Sequence, residues 1–120
     1  MTEMRNSKQY DLEDRTLKFA RNVMVFVKGL SKSIVNVEII KQLVRSAGSV
    51  GANYIEANES LSKKDFVMRI KICRKEAKES IYWLKLVEVN SEKSEEERQS
   101  LIQEATELMK IFGAILEKSK

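Results

Sequence analysis

Residues 45–60 read RSAGSVGANYIEANES. Two of the chain's four glycines, Gly48 and Gly51, fall here among Ser46, Ala47, Ser49 and Ala52. Taken alone, so many small residues suggest a loop. The flanking pattern is helical, however, and the 120-residue chain contains no proline. Leu43, Ala47, Val50, Tyr54, Ala57 and Leu61 recur at helical spacing straight through the stretch. A helix is therefore expected to include both glycines, at a cost of about 1 kcal/mol per interior glycine relative to alanine. Such residues are useful where something packs closely over them. That neighbour is either another helix of the same bundle or a second subunit.

The same period recurs on both sides. Leu12, Thr16, Phe19, Val23, Phe26 or Val27, and Leu30 form one stripe. Phe66, Ile70, Cys73, Ala77, Ser80 or Ile81, Leu84 and Val87 form another. Leu101, Ala105, Leu108, Phe112 and Ile115 form a third, widened by Ile102, Met109 and Leu116. Asp11 and Asn36 are expected N-caps, Ser62 with Asp65 resembles a capping box, and Ser94 with Glu97 is a fuller one. The expected helices span about residues 11–30, 37–61, 63–89 and 95–117 of a single domain, 1–120, with the second and third nearly continuous across Ser60–Lys63. Four one-faced helices with short connections predict an all-α, antiparallel, up-down-up-down four-helix bundle.

Composition excludes several function classes. No apolar run reaches the roughly 18 residues needed to span a bilayer. The polar start, MTEMRNSKQYDLEDR, does not read as a signal peptide. A single cysteine cannot form an internal disulfide and fits a reducing cytoplasm. The absence of histidine removes the usual general base and the commonest metal ligand. The carboxylate pairs Glu56/Glu59 and Glu76/Glu79 thus lack the histidines of a di-iron bundle. Cys73 lies on a core stripe and reads as a small buried hydrophobe. No catalytic residue, metal or cofactor is expected, and the chain does not read as an enzyme.

Charge distribution is more informative than its net value of +4. Residues 1–36 carry a net +3 and residues 62–89 a net +4, whereas residues 37–61 and 90–120 are net −1 and −2. Lys64, Lys71, Lys75, Lys78 and Lys85 share one face of the third helix with Tyr82, beside Arg74. Arg15, Lys18, Arg21 and Lys28 add charge on the first helix. Such a face is either a solvated helix surface or a track for RNA or DNA phosphates. No base-reading module accompanies it, so binding would be backbone-driven, salt-sensitive and of low sequence specificity. An acidic protein partner, recruited by an adaptor, is the alternative occupant.

The candidate self-association surface comprises Arg45, Gly48, Ser49, Gly51, Ala52, Ile55 and Glu56 of the second helix with Ile72, Glu76, Glu79 and Trp83 of the third. Trp83, with Ile72 and Leu86, is expected on a lateral face, near the Gly48–Gly51 notch of a neighbouring protomer. Arg45 would then meet Glu76 or Glu79 across the boundary. A head-to-tail contact of this kind closes into a ring where the rotation permits. The competing reading is that Trp83 completes the core of its own bundle.

RSAGSVGANYIEA, the S-x-x-DF pattern at Ser62–Phe66 and KEAKESIYWLKL at Lys75–Leu86 resemble the 23S rRNA intervening-sequence protein family, and YDLEDRTLKFA resembles that family's first helix. The likeness runs from about Tyr10 to Phe112. It implies a four-helix protomer in a ring, typically a homopentamer, without enzymatic activity. A related branch, the accessory variability proteins of diversity-generating retroelements, implies nucleic acid and a reverse-transcriptase-like protein as partners. The resemblance marks Arg45, Ser49, Asn53, Glu56, Glu76, Glu79 and Trp83 as structural or assembly positions.

Overall fold

The computed structural model describes residues 2–120, with side chains from Leu12 onward. Its four α-helices are α1 (Thr2–Lys28), α2 (Ile34–Asn58), α3 (Lys63–Leu86) and α4 (Glu92–Lys118), and no strand occurs among the described residues. The chain is all-α. The side chain of Asp11, an expected N-cap, lies outside the described set; α1 itself begins at Thr2.

Serines one turn upstream start two of the helices. Ser33, not Asn36, caps α2 by accepting the Asn36 amide at 3.2 Å. Ser91, not Ser94, caps α4, and Ser94 occupies the reciprocal position of the capping box. Ser62 caps α3 as expected, accepting the Asp65 amide at 3.1 Å. Each cap satisfies a backbone N–H that the first helical turn leaves without a partner. The expected continuity of α2 and α3 does not hold. α2 stops at Asn58, and Leu61 in the connection is almost fully exposed rather than part of the stripe.

Asn36 has a different task from the one expected. It is fully buried, and its Nδ2 donates to the Ser31 carbonyl at 3.1 Å and the Glu88 carbonyl at 2.9 Å. The Glu88 amide returns a bond to its Oδ1 at 2.9 Å. One side chain thereby joins the α1–α2 turn to the residues that follow α3. Arg98 reinforces the same place by donating to the Val87 carbonyl at 2.7 Å.

The buried residues follow the stripes. Phe19, Val23 and Phe26 of α1 meet Leu43, Val50 and Tyr54 of α2, Ile70, Cys73 and Leu84 of α3, and Leu101, Leu108 and Phe112 of α4 in one cluster. The Tyr54 and Phe112 rings lie 6.0 Å apart across it. α1 lies beside α2 and α4, and α3 lies beside α2 and α4; among the described residues the backbones of α1 and α3 sit diagonally and meet only through core side chains. The α2–α3 seam contains small polar residues at closest approach: Ser46 and Ser80 hydroxyls are 2.9 Å apart, and both are buried. Further along, Arg69 donates to Asn53 at 3.0 Å.

Gly48 and Gly51, three residues apart, occupy different surroundings. A Cβ on Gly51 would lie 2.9 Å from Thr16 Oγ1 and 3.2 Å from Thr16 Cβ. Gly51 thus lets α1 approach α2 within one chain. A Cβ on Gly48 would meet nothing within 4 Å.

Candidate nucleic-acid interface

The outward flank of α3 carries the candidate site. Lys64, Lys71, Arg74, Lys75, Lys78, Tyr82 and Lys85 are all exposed. From Lys64 to Lys85 the helix rises about 32 Å at roughly 1.5 Å per residue. Among the described residues, none of these six cations enters an ion pair. Between α3 and α4 lies an open groove lined by Lys71, Arg74, Lys75 and Lys78 on one side and Met109, Lys110 and Gly113 on the other. A second hollow, lined by Lys63, Lys64, Asp65, Val67, Met68 and Lys71, meets it at Lys71. No carboxylate lines the first groove, and Asp65 alone lines the second. This arrangement can hold a row of anionic groups by charge and by N–H donation, with apolar surface beneath them.

Lys110 and Lys63 were not among the sequence candidates. Lys110 was hidden by the acidic character of α4 as a whole. Its placement between Met109 and Ile111, on the turn before Gly113, was the available signal.

The α1 cations divide. Arg15 is engaged in a fork with Glu104, at 2.7 and 2.9 Å, and with Glu107 at 2.7 Å. The hydrogen bond to Glu104 raises its pKa further above the ordinary arginine value. Glu107 is correspondingly lowered, first by Gln103 and then by Arg15. Arg15 therefore joins α1 to α4 and does not offer a free charge. Lys18, Arg21 and Lys28 are exposed, but α1 sits diagonally from α3 with α2 and α4 on either side, so they do not extend its stripe.

The residues assigned to self-association are also redistributed. Arg45 pairs with Glu79 and reaches Glu76 at 3.4 Å within its own chain, so the pair expected between protomers is already made inside one. Glu76 is buried, with 7 % exposure. Trp83, expected on an exposed lateral face, is half-buried against the core and donates from Nε1 to Glu79 at 3.3 Å. Gly51 faces Thr16 of the same chain; Ser49 and Ile72 are half-buried, while Gly48, Ala52, Ile55 and Glu56 are exposed. Leu17, Met24, Val44 and Ile55 are large exposed apolar residues of α1 and α2.

No arrangement for nucleophilic chemistry is visible around Cys73. It is buried, and desolvation pushes its thiol up to about 12. At neutral pH it is a thiol, far from the thiolate that reacts. Among the described residues no cluster of three or more metal-ligating side chains occurs, and no helix is long and apolar enough to cross a membrane.

The family model for the 23S rRNA-intervening sequence protein matches residues 8–114. A crystal structure from Bacteroides thetaiotaomicron VPI-5482, of a protein with unknown function from the S23 ribosomal protein family, is similar at 32 % identity and a TM-score of 0.77. The similarity covers 88 % of this chain and 97 % of that one. No curated protein matches the sequence. The family match takes in both the capped four-helix frame and the lysine-bearing α3, and the chain belongs to the 23S rRNA-intervening sequence protein family.

Proposed function

We propose that this chain is a non-enzymatic, self-associating protein of the reducing cytoplasm that binds RNA or DNA phosphates through the outward face of α3. The observation that carries the reading is the outward cations Lys64, Lys71, Arg74, Lys75, Lys78 and Lys85, which make no ion pair among the described residues and flank an α3–α4 groove without carboxylates. A solvated helix surface usually interleaves acids with its lysines. Here Glu76 and Glu79 lie toward α2, where Arg45 meets them.

The protomer in this reading is an antiparallel, up-down-up-down bundle. Its support is the falling register of cross-contacts: Ser46 with Ser80 and Asn53 with Arg69 between α2 and α3, then Val87 with Arg98 and Arg74 with Gly113 toward α4. Self-association into a ring, typically a pentamer, draws on the exposed Leu17, Met24, Val44 and Ile55 and on the open backbone at Gly48. Leu17 and Met24 stand two turns apart on α1, and Val44 and Ile55 three turns apart on α2, so each pair shares one helix face, and apolar surface gathered in this way favours a partner.

Fluorescence anisotropy with labelled RNA and DNA of unrelated sequence tests the binding. Affinity is expected to fall steeply between about 50 and 200 mM salt with little sequence preference. Absence of binding at low salt overturns the reading and leaves an adaptor whose cations meet an acidic protein, a reverse-transcriptase-like enzyme included. Sedimentation velocity tests assembly: a monomer at all concentrations overturns the ring.

A further inference from the structure

We infer that the α3 face takes single-stranded nucleic acid, with Tyr82 as a stacking platform for an unpaired base. The inference rests on the nucleic-acid reading above and specifies the class of ligand.

Tyr82 stands on the stripe itself. Lys71, Lys75, Lys78, Tyr82 and Lys85 follow at steps of four, three, four and three, which keeps them on one helix face. Tyr82 is 58 % exposed. It is nevertheless braced. Its ring meets Trp83 edge-on, with centroids 5.0 Å apart and planes at 75°. Trp83 is tied through Nε1 to Glu79, and Glu79 to Arg45 of α2. The aromatic surface is therefore both exposed and positioned among cations.

That combination discriminates between forms of nucleic acid. In a duplex the base faces are stacked on one another, and an aromatic ring beside the backbone finds no partner for its π-face. In a single strand each base presents a face, and aromatic rings beside a cationic track are the usual means of holding it.

The test uses the full chain, a labelled oligothymidylate of about 20 nucleotides and a duplex of equal length. Tyr82→Leu is expected to weaken single-strand binding by roughly fivefold to a hundredfold. Duplex binding and the salt slope stay within about twofold of wild type, because the phosphate contacts are intact. Tyr82→Phe, which keeps the ring, retains the single-strand affinity. Trp83, the only tryptophan, gives a local second readout: its fluorescence changes on adding oligothymidylate and not on adding duplex. Equal losses for both ligands in Tyr82→Leu, or no loss for the single strand, overturn the stacking role while the nucleic-acid reading survives. If wild type binds neither ligand at low salt, that reading fails and this one with it.

Discussion

Toward α2, α3 presents Arg69, Glu76 and Glu79, and each has a partner: Asn53 for Arg69, and Arg45 for the two carboxylates. Outward, the same helix presents Lys71, Arg74, Lys75, Lys78 and Lys85 without an ion pair among the described residues. The first flank uses polarity to fix how two helices meet. The second leaves its charge directed at whatever arrives from solution. Polar residues that already have partners contribute register and stability, whereas those without partners are available for recognition. Substitutions should therefore separate the two flanks, one set acting on folding and the other on binding.

The largest effect is expected at Asn36, which belongs with the partnered set although it sits where α3 ends. Asn36→Leu leaves the Glu88 N–H and carbonyl and the Ser31 carbonyl without the bonds of the buried amide. Urea unfolding should show a loss of about 2–4 kcal/mol. Nucleic-acid affinity of the folded protein should stay within about twofold. Intact stability would mean that water or a neighbour replaces the amide.

Charge reversal on the outward flank should give the complementary result. The triple variant Lys71→Glu, Lys75→Glu, Lys78→Glu is expected to lower affinity on the order of 100-fold at low salt. Its melting temperature should be nearly unchanged, because no intrachain pair is broken. A large drop in melting temperature would show that these lysines support the fold.

The glycines test the contrast on α2. Gly51→Ala forces a Cβ into the space held by Thr16 and should destabilise by about 1 kcal/mol net of alanine's helix preference. Gly48→Ala meets nothing and should stabilise by about 0.5–1 kcal/mol. Thermal unfolding of the two variants, side by side at low protein concentration, measures both signs. The smallest effect belongs to the coupling of Arg45 with Glu79. The Arg45 guanidinium is half exposed, so the pair with Glu79 should contribute less than about 1 kcal/mol. A double-mutant cycle of Arg45→Ala with Glu79→Gln measures that coupling directly.

The four stripes were legible in the sequence because burial imposes a period, and the period survives without coordinates. Leu43, Ala47, Val50 and Tyr54 are buried as their spacing requires. Leu61 kept the phase and still ended in solvent, since α2 stops before reaching it. The caps were displaced by about one turn where several serines compete, as at Ser31–Ser33 and Ser91–Ser94. Partners across helices were not legible. Arg45 and Glu79 are 34 residues apart in sequence, and only the register of α2 against α3 makes them neighbours. The two glycines were recognised together as small residues, but the difference between them is set by Thr16 on another helix. The lysine face was legible as a face; that Arg15 is bound by Glu104 and Glu107 required the position of α4.

The Asn36 clamp has a kinetic consequence. The α2–α3 serine contact spans 34 residues of chain, whereas Asn36 and Glu88 are 52 apart, at the end of the hairpin farthest from its turn. Shorter loops close at lower entropic cost. Asn36 and Glu88 stand at the open end of the α2–α3 hairpin, so if pairing spreads outward from the short turn after Asn58 the amide clamp closes last. A residue engaged only after the barrier leaves the folding rate alone and governs how fast the native state opens. In Asn36→Leu, stopped-flow traces should show unchanged refolding and accelerated unfolding. A single buried amide at one end of the molecule would then set how long the native state lasts before it opens.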